Sequence, residues 1–197
     1  MKRVFPVVAA VAISAIAAAI LSGPAAADPL TEGLSAEMKI LPPTPGGTAC
    51  FHRLYDSRHL SEHPRQTIAE MVFVMHVEGM DAKGDPALKN PHHVIYRFAL
   101  EVRRRDNRRP LRTNGECSGD GVADCFVDCD GGGVTVERSA QGGGLTVRLQ
   151  GEGIAFGNDC DTNRGYFVGP GADDKIFELT PAPLTTCLPL KRTELAR

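Results

Sequence analysis

The chain has 197 residues, 42% of them hydrophobic and 23% charged, which fits one globular domain plus a short targeting segment and excludes a disordered chain. The formal net charge is −2, and residues 1–27 carry Lys2 and Arg3 but no acid, so the remainder holds 20 basic and 24 acidic residues, net −4. An acidic balance excludes general phosphate neutralisation, and no nucleic-acid partner is expected.

Residues 1–27 read as a cleavable signal peptide. Lys2 and Arg3 form a positive start, Val4 to Leu21 is an apolar run, and Ala25-Ala26-Ala27 supplies the small residues a signal peptidase reads, with Asp28 the first mature residue. The alternative is an uncleaved anchor; Pro24 and the alanine triplet favour cleavage. The expected location is therefore periplasmic or secreted, with membrane contact only through this segment during export. Residues 28–47 form an extended lead-in, since Leu41-Pro42-Pro43-Thr44-Pro45-Gly46-Gly47 cannot hold a helix. Thr31 to Lys39 is a candidate short helix.

Residues 48–190 read as one β-rich domain, and 191–197 as a tail. Thr48 to Leu54 is the first candidate strand. Tyr55 to Pro64 is too polar and short for a core element and reads as a loop with room for one helical turn. Thr67 to Val77 is apolar on both faces, with Met71, Phe73, Met75 and Val77 on one and Ile68, Val72 and Val74 on the other, the pattern of a strand covered on both sides. Gly79 to Pro91 is a turn region.

His93 to Arg104 alternates cleanly. Val94, Tyr96, Phe98, Leu100 and Val102 share one face, and the opposite face is mostly polar. Asp106-Asn107 makes a turn. Further strands are expected at Val122–Cys129, Val134–Arg138, Leu145–Gln150, Gly153–Phe156 and Lys175–Leu179, with Gly157 to Ala172 a loop. About eight short strands at hairpin spacing predict an all-β fold, a single antiparallel β-sandwich or small β-barrel stabilised by disulfides.

All six cysteines lie in the mature part, as expected of disulfides in an oxidising compartment. Chain geometry selects Cys50–Cys187 across the domain ends, Cys117–Cys125 around the Ser118–Gly121 loop, and Cys129–Cys160 from the remainder. Structural zinc is the competing use of these thiols, but no CxxC pair or CxxxH partner accompanies them.

Three constellations could carry chemistry. His59-Leu60-Ser61-Glu62-His63 has the HxxEH spacing of inverted zinc peptidases, but Pro64 denies it the long helix that a two-histidine site needs. The aspartates 120, 124, 128, 130, 159, 161, 173 and 174 suggest calcium, yet Asp128-Cys129-Asp130-Gly131 lacks the later acids of a calcium loop. Solvated turn acids are the simpler account. The basic run Arg103, Arg104, Arg105, Arg108, Arg109 and Arg112 straddles the Asp106-Asn107 turn. Arg103, Arg105, Arg108, Arg109 and Arg112 are the candidate anion- or partner-binding set, because guanidinium forks match carboxylates and phosphates; the plainer reading is a solubilising hairpin tip compensated by Glu101, Asp106 and Glu116.

There is no GxSxG elbow, GK[ST] loop or GxGxxG turn, and no cofactor is called for. The sequence therefore predicts an exported, non-catalytic binding or inhibitor-type module that meets an anionic envelope or extracellular partner through the arginine tip. A small metal-dependent hydrolase using His59, Glu62 and His63 is the alternative.

Overall fold

A computed structural model describes residues 47–77, 96–107, 109–118, 122–140, 143–157, 166–171 and 173–195. The signal segment, the lead-in up to Gly46, the candidate helix at Thr31–Lys39, the 79–91 turn region, Arg108, Asp120, Asp159, Cys160 and Asp161 lie outside the described residues.

The strands are β1 (Thr48–Leu54), β2 (Ile68–Val77), β3 (Tyr96–Arg104), β4 (Leu111–Ser118), β5 (Ala123–Phe126), β6 (Gly132–Arg138), β7 (Leu145–Phe156), β8 (Tyr166–Val168) and β9 (Ile176–Pro181). Helix α1 (Ser57–Glu62) follows β1, and helix α2 (Leu184–Glu194) follows β9. Strands β1 to β7 pair in chain order, all antiparallel, and β9 closes the ring between β7 and β1. The result is a closed eight-stranded antiparallel barrel, with β8 added outside it on the far half of β7. Of the two architectures the alternation allowed, the barrel is the one formed.

The strand period of two places one residue set inside. Met71, Phe73 and Met75 of β2, Tyr96, Phe98, Leu100 and Val102 of β3, and Phe177 and Leu179 of β9 are buried in one core with Val134, Val136, Leu145 and Val147. An eight-stranded barrel is just wide enough for such side chains to fill. Strand β2 is covered on both faces, because its outward Val72 and Val74 pack with Ala99, Cys187 and Leu190 beneath α2. A register shift between Ile68 and Glu70 turns Ile68 to the inside, against the alternation expected of it.

Several elements differ from the sequence expectation. Strand β4 was not named, because its inner face consists of Leu111, Thr113, Gly115 and Cys117 and offers no hydrophobic alternation. Gly115 is needed there: a Cβ would lie 1.9 Å from the Phe126 carbonyl oxygen. Strand β7 is continuous through Gly151 and Gly153, where two strands were expected. Its register slips between Leu149 and Ile154, and Gly153, at φ 125°, lets the bent strand pass close to Val168. Strand β8 falls inside an expected loop. Helix α2 was not foreseen, since Pro181, Pro183 and Pro189 crowd it; Cys187 and Leu190, three apart, set its buried face.

Cys50 on the outer face of β1 is bonded to Cys187 of α2, with Cα atoms 5.9 Å apart, so the helix is fastened to the barrel wall. Closing a loop of 137 residues stabilises by about 5 kcal/mol in the chain-entropy model. Cys117 and Cys125 face each other across β4 and β5 and are bonded inside the barrel. Cys129 is disulfide-bonded as well.

Candidate functional site

One end of the barrel gathers α1, the β3–β4 turn, β8 and the 169–175 segment. Two of the three constellations singled out in the sequence, the histidine segment and the arginine turn, belong to it. Asp56 caps α1 by accepting from the His59 amide at 2.8 Å. Arg105, just past β3, donates from Nη1 to the carbonyls of Pro64 (3.2 Å), Gln66 (3.3 Å) and Leu60 (3.4 Å), and from its backbone amide to the Thr67 carbonyl. The arginine turn and the histidine segment are thus held together by one guanidinium.

The four described candidates, Arg103, Arg105, Arg109 and Arg112, do not act as one cluster. Arg103 and Arg112 lie on the outer wall, where Glu101 accepts from Arg112 Nε at 2.8 Å and from Arg103 Nη2 at 3.1 Å. Arg103 Nε also stands 3.6 Å from Glu70, whose other oxygen meets His52 Nε2 at 3.0 Å. A line of alternating basic and acidic side chains, His52–Glu70–Arg103–Glu101–Arg112, therefore crosses β1 to β4. The Glu101 side chain is only 8% exposed, so these two guanidinium groups are committed to keeping a buried carboxylate paired. Arg105 serves as the brace just described. Arg109 alone of the described candidates is exposed and makes neither an ion pair nor a side-chain hydrogen bond among the described residues. Arg65, which the sequence did not single out, is likewise exposed, with its backbone amide held by Asp173 at 3.1 Å.

His59, Glu62 and His63 are not arranged around a common point. Tyr55, His59 and His63 stack in a ladder, with ring centroids 4.6 and 4.4 Å apart. Gln66 donates from Nε2 to the Ile68 carbonyl at 2.7 Å, which leaves its Oε1 to accept from His59 Nε2–H at 3.0 Å. Glu62 turns instead to Arg58 at 3.1 Å. Among the described residues no group of three or more His, Cys, Asp and Glu side chains is placed to share an ion.

Of the aspartates considered for calcium, Asp124, Asp173 and Asp174 serve the framework, and Asp128 and Asp130 are exposed. Asp174, 2% exposed, accepts from the Thr67 amide and hydroxyl at 2.6 Å each and from the Ile68 amide at 3.3 Å, pinning the 173–175 segment to the start of β2. Asp124 accepts from Gln150 at 2.6 Å.

The inner wall at this end carries polar groups whose inward direction the sequence does not announce: Arg53, Tyr55 and, from the basic run, Arg104. Arg53 follows Phe51 on the inward set of β1, and its guanidinium lies 5.0 Å from the Tyr55 ring centroid. Burial pushes the Tyr55 hydroxyl up to about 12, opposed by Arg53 and reinforced by Asp174 and Glu178. Arg104 continues the inward set of β3, sits 4.8 Å from the centroid of the Tyr166 ring and donates to Asp106 at 2.6 Å. The signal that could have found the two arginines is register: each sits two residues beyond an apolar inward neighbour. No protein family, curated protein or solved structure matches the chain.

Proposed function

We propose that the protein is an exported, non-catalytic binding or inhibitor-type module, periplasmic or secreted, that docks an anionic partner on the α1 end of its barrel. The observation that carries this reading is the Arg105 brace. It holds α1 and the β3–β4 turn against each other and leaves Arg65 and Arg109 exposed on that end without ion pairs among the described residues. Bulky apolar side chains occupy the centre of the barrel, so recognition falls to its ends and outer wall. Intramolecular disulfides fit an oxidising compartment.

The contact set differs from the run read in the sequence, because Arg103 and Arg112 are spent on Glu101 and Arg105 on backbone carbonyls. The test is retention of the oxidised protein on immobilised polyglutamate at low ionic strength. Arg65→Ser combined with Arg109→Ser should weaken retention about three- to tenfold and leave the melting temperature unchanged. Equal retention by the double variant removes the docking reading.

A further inference from the structure

Among the described residues, three buried side-chain atoms have no hydrogen-bond partner: Nε of Arg53, Nε of Arg104 and Oγ1 of Thr113. All three belong to inward-facing residues of β1, β3 and β4, within four consecutive strands of the barrel. Arg53 lies in a cross-strand row with Met71, Val102 and Leu111. Arg104, opposite Ile68, is one step nearer the mouth, and Thr113, opposite Leu100, is one step deeper. A buried polar group left unpaired costs about as much as the hydrogen bond it lacks, and native interiors hold few of them. Three on a single stretch of inner wall form a pattern.

Their chemistry is one-sided. An arginine Nε–H can only donate, and the Thr113 hydroxyl is free to donate. The acids at hand are already engaged: Asp174 accepts three donors from Thr67 and Ile68, and Asp106 takes the Arg104 Nη2. Two guanidinium groups thus face the mouth with donors left over, flanked by the Tyr55 and Tyr166 rings. A water could satisfy one such donor; an oxyanion satisfies several at once and balances their charge.

We propose that the mouth of the barrel binds a small oxyanion, a carboxylate or phosphate group, between Arg53 and Arg104, with the Thr113 hydroxyl as a third donor. This site is separate from the exposed Arg65 and Arg109 and does not depend on the docking reading.

The experiment is calorimetric melting of the oxidised full chain at pH 7 with sodium phosphate or sodium acetate, against sodium chloride at equal ionic strength. Phosphate or acetate should raise the melting temperature in a saturable way beyond chloride. Arg104→Gln and Arg53→Gln should each weaken the fitted affinity about tenfold or more. Thr113→Val keeps the side-chain shape, so it folds even if an arginine variant does not, and it should weaken affinity severalfold. Arg138→Ser, an exposed charge at the opposite end, should keep the wild-type response. A response to phosphate alone marks a phosphate ester as the natural group, and a response to acetate alone marks a carboxylate; both support the site. No rise beyond chloride, or an undiminished rise in Arg104→Gln and Thr113→Val, overturns it.

Discussion

Arg103 and Arg104 are neighbours in sequence and lie on opposite faces of β3. Arg103 points outward and is met by two carboxylates, Glu101 and Glu70. Arg104 points inward, meets one carboxylate and one aromatic ring, and keeps a buried Nε–H without a partner. The strand period divides a basic run that looks continuous on paper into two populations with different work. The outer one neutralises a buried glutamate and is structural. The inner one carries unspent donors, and unspent donors are what a ligand can use.

The inner population can be challenged through its tyrosine. The Tyr55 hydroxyl is raised from its ordinary 10 to about 12 by burial. The unfolded chain therefore releases this proton first as pH rises. The stabilisation is fully present below pH 10, is lost between 10 and 12, and amounts to about 3 kcal/mol. Alkaline denaturation followed by circular dichroism should show that loss, and Tyr55→Phe should flatten the slope between pH 10 and 12. A wild-type curve with the same slope as Tyr55→Phe would mean that the phenol is not shielded as described.

The outer population is tested at Glu101. Glu101→Gln removes the charge that Arg103 and Arg112 share while keeping the side-chain shape. Those guanidinium groups are partly solvated, so the expected loss is about 2 kcal/mol, below that of a fully buried pair. Urea unfolding of the variant measures it, and no change in midpoint would show that the charge line is decorative.

Much of the barrel was legible because hydrophobic alternation speaks for strands such as β2 and β3, whose inward residues are large. Cys50 and Cys187 bracket the folded part in sequence, and the structure bonds them to each other. What stayed hidden has physical causes. Strand β4 presents Thr113 and Gly115 inward, so periodicity is silent, and its position is dictated by pairing with β3. Helix α2 is held by a disulfide and by Cys187 and Leu190 clustering with Val72, Val74 and Ala99, not by helix propensity. The inner arginines were missed because a charged residue in an alternating strand is assigned outward by default, whereas here Arg104 continues the set of Phe98, Leu100 and Val102. The 103–112 run and its neighbour Glu101 were visible, but Glu70 and the Leu60–Gln66 carbonyls are distant in sequence and become neighbours only in the closed sheet.

The smallest effects separate brace from contact within the same turn. Arg105 gives three side-chain hydrogen bonds to the α1 segment from an exposed position, where water competes for each. Arg105→Met should cost about 1 kcal/mol, and it should do so by loosening α1. Amide hydrogen exchange should accordingly speed up at Leu60 and His63, while Phe73 and Leu100 in the core keep their protection. Arg109→Ser, a few residues away, should stay within about 0.5 kcal/mol of wild type and change exchange nowhere in α1. Equal behaviour of the two variants would mean that Arg105 is one more solvated charge, and the α1 end would then lose the element that fixes its shape.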